Sequence, residues 1–365
     1  MSDSSTRAYL FKFRGSDYVF CRTAGHGAEA QAQVVQKVGT GELLIRKVSK
    51  NRLDRSKCIE PNEFHLIEEY LSKPPRSPDI RPLIPKFYGH EKIHSKNGKF
   101  HLVSYWQLIN GGSVKDLILT KYNSFKHTKF NPDKRFPARI IARMLHQVFS
   151  SLQHLYTVYK KPIFHKDLHP GNIWMDFPPS SDGELNDIPD FYLGDFGYAG
   201  WDFGFDTNHT ATRDIDKVME WARLMICINL PEDQRPPRDG AVPYPDDPHR
   251  GTIPGDAPMT AMLSLYYDFC HELSQFKDQT GWHIIRKPSC PPPDLTSFIR
   301  RAEALENELT PSLTGQIRAA TGRWEAIDDV TYHRPGKTRG SGRGLRAISE
   351  SPDEEGGETD SEPDF

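Results

Sequence analysis

The sequence lacks the features that mark secreted, membrane-spanning and disulfide-stapled proteins. No apolar run approaches the roughly 18 residues that a transmembrane helix needs, and no apolar segment follows the polar N-terminus. The five cysteines are odd in number, and none lies in a Cys-x-x-Cys pair, which favours reduced thiols over a disulfide framework. We therefore expect an intracellular protein, cytoplasmic or nuclear, with no membrane partner.

A strong net charge is also missing. The formal net charge is −2, although eight acidic side chains and no basic ones fall within residues 347–365. The small basic surplus in the rest of the chain is not the footprint of a nucleic-acid-binding domain, so we expect no nucleic-acid partner. A hydrophobic content of 36% and an aromatic content of 11% are typical of a globular protein.

The hydrophobic pattern changes from strand-like to helix-like along the chain. Aromatic and β-branched runs between turn residues predict strands at 9–13, 18–20, 34–38, 43–48 and 100–108. Apolar residues at helical spacing predict helices at 60–72, 113–120, 136–159, 214–229, 258–276 and 294–308. This order predicts an α+β fold with two lobes, a small β-rich lobe over 1–107 and a larger helical lobe over 108–328. Residues 329–365 have no apolar periodicity and are predicted to be a disordered, basic-then-acidic tail.

The residues that carry chemistry are concentrated in two segments. The first, 163–173, presents Asp167 and Asn172 five residues apart in the run Ile-Phe-His-Lys-Asp-Leu-His-Pro-Gly-Asn-Ile. There, a carboxylate can accept the proton of an attacking hydroxyl, and an amide oxygen can ligate magnesium. The second segment, 193–197, places Asp195 at the end of a strand. Because Mg²⁺ prefers oxygen ligands, Asn172 and Asp195 predict a magnesium site beside the phosphates of ATP.

These two segments resemble known motifs. The run from His165 to Asn172 resembles the protein-kinase catalytic loop, H-R-D-L-x-x-x-N, and Asp195-Phe196-Gly197 resembles the kinase D-F-G turn. The form Asp-Leu-His-Pro-Gly-Asn is also similar to the loop of aminoglycoside and choline kinases, and fungal kinase-like proteins carry similar loops. The resemblance implies a bilobal protein-kinase-like fold, ATP and Mg²⁺ as cofactors, and Asp167 as the residue that orients and deprotonates the acceptor hydroxyl.

The resemblance extends upstream to a lysine and a glutamate. Lys47 closes a strand similar to the kinase V-A-I-K and would bind the α- and β-phosphates, with Arg46 as the competing register. Glu63 matches the helix glutamate that forms an ion pair with that lysine, and Glu68 and Glu69 are the alternatives.

The rest of the nucleotide pocket is assigned by the same resemblance. Gly25 and Gly27 would be the remnant of a glycine loop over the phosphates, although Ala30 stands where the third glycine is expected. Backbone groups from Gln107 to Ile109 would hydrogen-bond adenine, with Trp106 at the back of the pocket.

Several features depart from an ordinary regulated protein kinase. Lys166 replaces the arginine of H-R-D, and a lysine cannot bind an activating phosphate bidentately. His169 stands where kinases acting on Ser/Thr usually place a lysine near the γ-phosphate, a role that a protonated imidazole can take. Only eighteen residues separate Asp195 from Asp214, with no A-P-E motif, which leaves little platform for a peptide substrate.

Three functions therefore stay open. The favoured one is a divergent Ser/Thr protein kinase that transfers the γ-phosphate of ATP to a protein substrate. The second is a phosphotransferase with a small-molecule acceptor, favoured by the aminoglycoside-kinase-like loop. The third is an ATP-binding pseudokinase scaffold, favoured by the degenerate glycine loop but opposed by the presence of Lys47, Asp167, Asn172 and Asp195.

Overall fold

The described residues form an antiparallel sheet and a set of helices, so the protein is of the mixed α+β class. The computed structural model describes residues 10–26, 30–50, 62–94, 100–123, 136–178, 188–201, 207–228, 230, 235, 253, 255–280 and 292–309. The chain divides into two units, Met1–Ala326 and Ile327–Phe365, and every described residue belongs to the first. The tail predicted for 329–365 lies outside the described residues.

Six strands form the sheet in the order β1-β2-β3-β4-β6-β5, and every neighbouring pair is antiparallel. These strands are β1 (Leu10–Phe13), β2 (Ser16–His26), β3 (Ala30–Lys37), β4 (Leu43–Ser49), β5 (Phe87–His94) and β6 (Phe100–Gln107). The five predicted strands are confirmed, including the β3–β4 hairpin, whose turn uses positive φ angles at Gly39 and Gly41. Strand β5 was not predicted. It is an edge strand with three exposed residues at its end, so its sequence shows no apolar alternation.

A second, two-stranded sheet lies among the helices. It pairs β7 (Ile173–Asp176) with β8 (Asp190–Leu193). The helices are α1 (Asn62–Leu66), α2 (Val114–Asn123), α3 (Ala138–Thr157), α4 (Thr207–Ile228), α5 (Ala257–Thr280) and α6 (Thr296–Glu308). All six predicted helices are confirmed, but α1 continues as a π-helical turn, Ile67–Leu71, and α4 begins at Thr207 instead of residue 214. None of the helices in the described residues is long and apolar enough to span a membrane.

Helix α3 is buried on its polar side as well as on the predicted apolar side. The Gln147 side chain accepts a hydrogen bond from the backbone N–H of Phe191, 2.8 Å away, and the Ser151 hydroxyl accepts one from Leu83 N–H at 3.0 Å. Buried backbone groups need such partners because water cannot reach them. Through these bonds α3 fixes the position of β8, and β8 leads directly to Asp195.

The connection after β6 passes so close to β7 that only glycine fits there. A Cβ at Gly111 would lie 2.5 Å from the carbonyl oxygen of Met175 and 2.6 Å from the Phe177 ring. We expect Gly111→Ala to lower the free energy of unfolding by about 1–3 kcal/mol, because backbone must move to admit the methyl group. Urea denaturation measures this loss. Gly25→Ala is the matched control, because a Cβ at Gly25 meets nothing within 4 Å. Equal losses in the two variants would contradict the steric explanation.

Candidate functional site

A buried carboxylate on α4 holds the loop that carries Asp167. Asp214 accepts hydrogen bonds from His165 N–H at 2.8 Å and from Lys166 N–H at 3.1 Å. Asp214 is 1% exposed, so its charge depends on such charge-assisted bonds for compensation. Lys166 has φ of 68°, a left-handed conformation that is unusual for a residue with a side chain. The two hydrogen bonds to Asp214 therefore fix the backbone of the loop at His165 and Lys166.

The His165 side chain connects this loop to the segment that carries Asp195. Its Nε2–H donates to the carbonyl oxygen of Gly194 at 2.9 Å, and its ring lies 5.2 Å from the Phe196 ring. A second bond runs from Gly194 N–H to the carbonyl oxygen of Asn172, over 3.0 Å. The two sequence segments that carry the candidate chemistry are thus joined directly.

Asp167 and Asn172 lie side by side on the loop. The Asn172 amide donates through Nδ2 to the backbone oxygen of Asp167 at 2.9 Å, which leaves Oδ1 as the atom that can meet a ligand. The Asp167 side chain is 41% exposed, so its carboxylate remains open to a substrate. An accessible carboxylate therefore lies next to a fixed amide oxygen.

His169 lies beside the Asp167 carboxylate. Its Nδ1 accepts a hydrogen bond from Gly171 N–H at 3.0 Å, so the proton of the neutral ring is on Nε2. Nε2 lies 3.9 Å from Oδ2 of Asp167. The ring therefore directs an N–H group toward the edge of the carboxylate.

Asp195 stands at the end of the β7–β8 hairpin, next to Asn172. Strand pairing sets Ile173 opposite Leu193, which places the two candidate magnesium ligands at the same end of the hairpin. Asp195 is exposed and has φ of 61°, a left-handed conformation that costs energy for a residue with a side chain. An amide oxygen and a carboxylate oxygen are a donor set that suits Mg²⁺, with water and phosphate oxygens completing the coordination.

Lys47 and Arg46 lie on opposite faces of β4, as strand geometry requires. The Arg46 guanidinium donates to Oε1 of Gln33 at 2.6 Å and lies over the Phe11 ring. The Lys47 ammonium instead lies near Trp106 and near Trp174, which belongs to the same hairpin as Asn172. Lys47, and not Arg46, is therefore on the side of the sheet that faces the candidate site.

The predicted Lys47–Glu63 ion pair is not formed in the structure. Glu63 is buried and accepts a hydrogen bond from Phe196 N–H at 3.2 Å, whereas the alternatives Glu68 and Glu69 are exposed. Both members of the predicted pair are described, and no ion pair joins them there. This hydrogen bond joins α1 to the turn that carries Asp195.

The remaining predicted pocket residues are placed as follows. Gly25 lies near the end of β2, where the pairing with β3 changes register, and Gly27 is outside the described residues. Gln107 ends β6 and donates its N–H to the carbonyl oxygen of Lys86. Ile109 is buried two residues further on. Trp174 was not predicted as a site residue, although its position two residues after Asn172 in the sequence indicated a place near the candidate site.

Two buried histidines make the stability of the fold sensitive to acid. Desolvation lowers the pKa of His165 and of His154 below their ordinary value of 6.5, and the bonds to Gly194 and Leu71 oppose this only in part. The Nδ1 atoms of both rings are buried without a hydrogen-bond partner among the described residues.

Below pH 6.5 these two histidines bind protons in the unfolded chain, whereas burial disfavours their protonation in the folded chain. We therefore expect the free energy of unfolding to fall as the pH drops from 7.5 to 5.5, measured by urea denaturation. His154→Gln should reduce that slope, and the exposed His94→Gln should not. A slope that His154→Gln leaves intact would contradict the assignment.

No family model matches the chain, and no curated protein matches it either. A function for this protein has to be argued from its own residues.

Proposed function

We propose that this chain is an ATP-dependent phosphotransferase of protein-kinase-like, bilobal fold, and that its acceptor is a Ser or Thr hydroxyl of a protein. The observation that carries the proposal is the direct junction of the two chemical segments. His165 and Asn172 of the first segment bond the two backbone polar groups of Gly194, and Asp195 follows Gly194 in the chain. These backbone bonds hold three groups together: Asp167 as the proposed base, and Asn172 and Asp195 as the proposed magnesium ligands.

The arrangement of the sheet and the helices supports the same proposal. The strand that carries Lys47 is followed by the helix that carries Glu63, and the sheet then ends in a connection that packs on β7 through the bond from Gly111 N–H to Met175 O, 2.7 Å long. A nucleotide lying between the sheet and this hairpin would meet Lys47 on one side and Asp195 on the other.

Each residue has a distinct part in the proposed transfer. Asp167 accepts the proton of the attacking hydroxyl, and His169 donates toward the transferring phosphoryl group from beside it. Lys47 binds the α- and β-phosphates, and the carbonyl of Gln107 with the backbone of Ile109 binds adenine. Asn172 and Asp195 would hold Mg²⁺, which neutralises charge on the phosphates when bound.

The test is phosphate transfer by the purified chain. The chain is incubated with γ-labelled ATP and Mg²⁺, together with generic protein substrates in one arm and a panel of amino sugars and choline in another. The proposal predicts label on Ser or Thr of protein. Absence of transfer in every arm, with no Mg²⁺-dependent shift in melting temperature on addition of ATP, would refute it.

A small-molecule acceptor is the second candidate function. The short distance in sequence between Asp195 and the buried Asp214 favours it, because little chain is left to form a platform for a peptide. Label found in an amino sugar or in choline, and not in protein, would select this candidate.

A further inference from the structure

The ammonium of Lys47 lies between two indole rings. Its Nζ is 5.2 Å from the centroid of the Trp106 ring and 5.5 Å from that of the Trp174 ring. Both distances are within the range in which the negative face of an aromatic ring attracts a cation, and tryptophan is the strongest of the aromatic side chains in this respect. The rings come from different sheets, since Trp106 lies on β6 and Trp174 lies on β7.

Both indoles are fixed by their own contacts. Trp106 donates through Nε1 to the Ser104 hydroxyl at 2.8 Å, and its ring packs 4.6 Å from that of Phe87. Trp174 donates through Nε1 to the carbonyl oxygen of Gly171 at 2.8 Å. A rotation of either ring would break a hydrogen bond, so the space between them is preformed.

Gly194 packs against the Trp174 ring. A Cβ at Gly194 would lie 2.5 Å from that indole, so the ring is packed directly against the backbone that precedes Asp195. Through Trp174, the Lys47 ammonium is positioned relative to the end of the hairpin that carries Asn172 and Asp195.

Glu63, the carboxylate expected to position Lys47, accepts a hydrogen bond from the backbone N–H of Phe196. Among the described residues, the Lys47 side chain makes cation–ring contacts and no ion pair.

We propose that Trp106 and Trp174 are the positioning residues of Lys47 and that they take the part expected of Glu63. Their faces hold the ammonium at the mouth of the candidate nucleotide site before any phosphate arrives. Holding the long lysine side chain in advance reduces the conformational entropy that nucleotide binding must otherwise remove. The importance of this positioning for phosphate binding rests on the proposed function, but the position of the ammonium does not.

The position of the ammonium can be measured without any assay of transfer. Reductive methylation of the native chain with ¹³C-formaldehyde places a cationic dimethylammonium on each reactive lysine, and the Lys47 resonance is identified by its loss in Lys47→Arg. We expect this resonance upfield of those of exposed lysines, because ring currents of two indoles act on it. Trp174→Leu should move it downfield, and Trp174→Phe should move it less.

Matched variants separate positioning from general disturbance of the fold. Trp221→Phe removes an indole on α4 and should leave the Lys47 resonance unchanged, and Glu63→Gln should also leave it in place. If Trp174→Leu does not fold, the graded shift in Trp174→Phe and Trp106→Phe carries the test. A Lys47 resonance that is not upfield, or that moves in Glu63→Gln and not in the Trp174 variants, would overturn the proposal.

Nucleotide binding supplies the second measurement. Trp174→Leu should weaken the binding of Mg–ATP about 5-fold, as expected for the loss of one cation–π contact, and Trp174→Phe should weaken it less. An unchanged affinity in Trp174→Leu would overturn the functional part of the proposal. A native chain that binds no Mg–ATP would refute the proposed function instead, while the resonance would still report whether the indoles hold Lys47.

Discussion

Replacement of Asp167 by alanine is expected to abolish phosphoryl transfer and to leave the binding of Mg–ATP nearly unchanged. The exposed carboxylate is the base of the proposed transfer, and loss of a positioned base typically lowers the rate by about 10²–10⁴-fold. The loop itself should persist, since Asn172 donates chiefly to the backbone oxygen of Asp167, which alanine retains. Radiolabel transfer measures the rate, and isothermal titration with Mg–ATP measures the affinity.

The control for Asp167→Ala is Glu69→Ala, which removes an exposed carboxylate from the π-helical turn that follows α1. Its transfer rate should equal that of the native chain. Transfer that survives in Asp167→Ala would show that another group accepts the proton, and a parallel loss of ATP affinity would show that Asp167 binds the nucleotide instead.

Replacement of Asp195 is expected to remove the dependence of ATP binding on magnesium. Asp195 provides the only charged oxygen donor of the proposed pair, so its loss should weaken Mg–ATP binding by at least about 100-fold, above the range typical for groups that merely support a metal ligand. Asp195→Asn is the informative variant, because asparagine keeps the shape of the side chain and tolerates the left-handed backbone at this position. Asp195→Ala adds a backbone cost to the loss of charge.

The comparison to make is ATP affinity with Mg²⁺ and with a chelator, in the native chain and in both Asp195 variants. The native chain should show a large difference and the variants little. A variant that keeps the full difference would place the magnesium site elsewhere. Melting temperatures without nucleotide identify any loss that is due to unfolding.

Local patterns in the sequence were sufficient for most of the fold. Helix α3 was predicted because its apolar residues recur at helical spacing, and the β3–β4 hairpin because two β-branched runs flank Gly39 and Gly41. Strand β5 was missed because it lies at an edge, where neither face is continuously buried. The π-helical form of Ile67–Leu71 was likewise not predictable, since residue spacing alone does not distinguish it from an α-helical turn.

The candidate site, like the fold, could be predicted from the sequence only in part. Asp167, Asn172 and Asp195 were predicted as site residues from the sequence, because the first two share one loop, the third ends a strand, and both segments resemble kinase motifs. The choice between Lys47 and Arg46 stayed open, because a one-residue change of register reverses the faces of a strand and only the packed sheet settles which side chain is on which face. The contact between Trp174 and Lys47 was not predicted, because it joins residues of two different sheets.

The sequence alone was enough to identify the candidate groups: a carboxylate and an amide on one loop, and a second carboxylate at the end of a strand. Which groups are partners depends on the tertiary packing. Glu63 bonds Phe196, 133 residues away, and Asp214 bonds His165, 49 residues away. Spacing along the chain cannot specify such pairs, because they depend on how helices and sheets pack. The same packing set the Lys47 ammonium between two indoles instead of beside a glutamate.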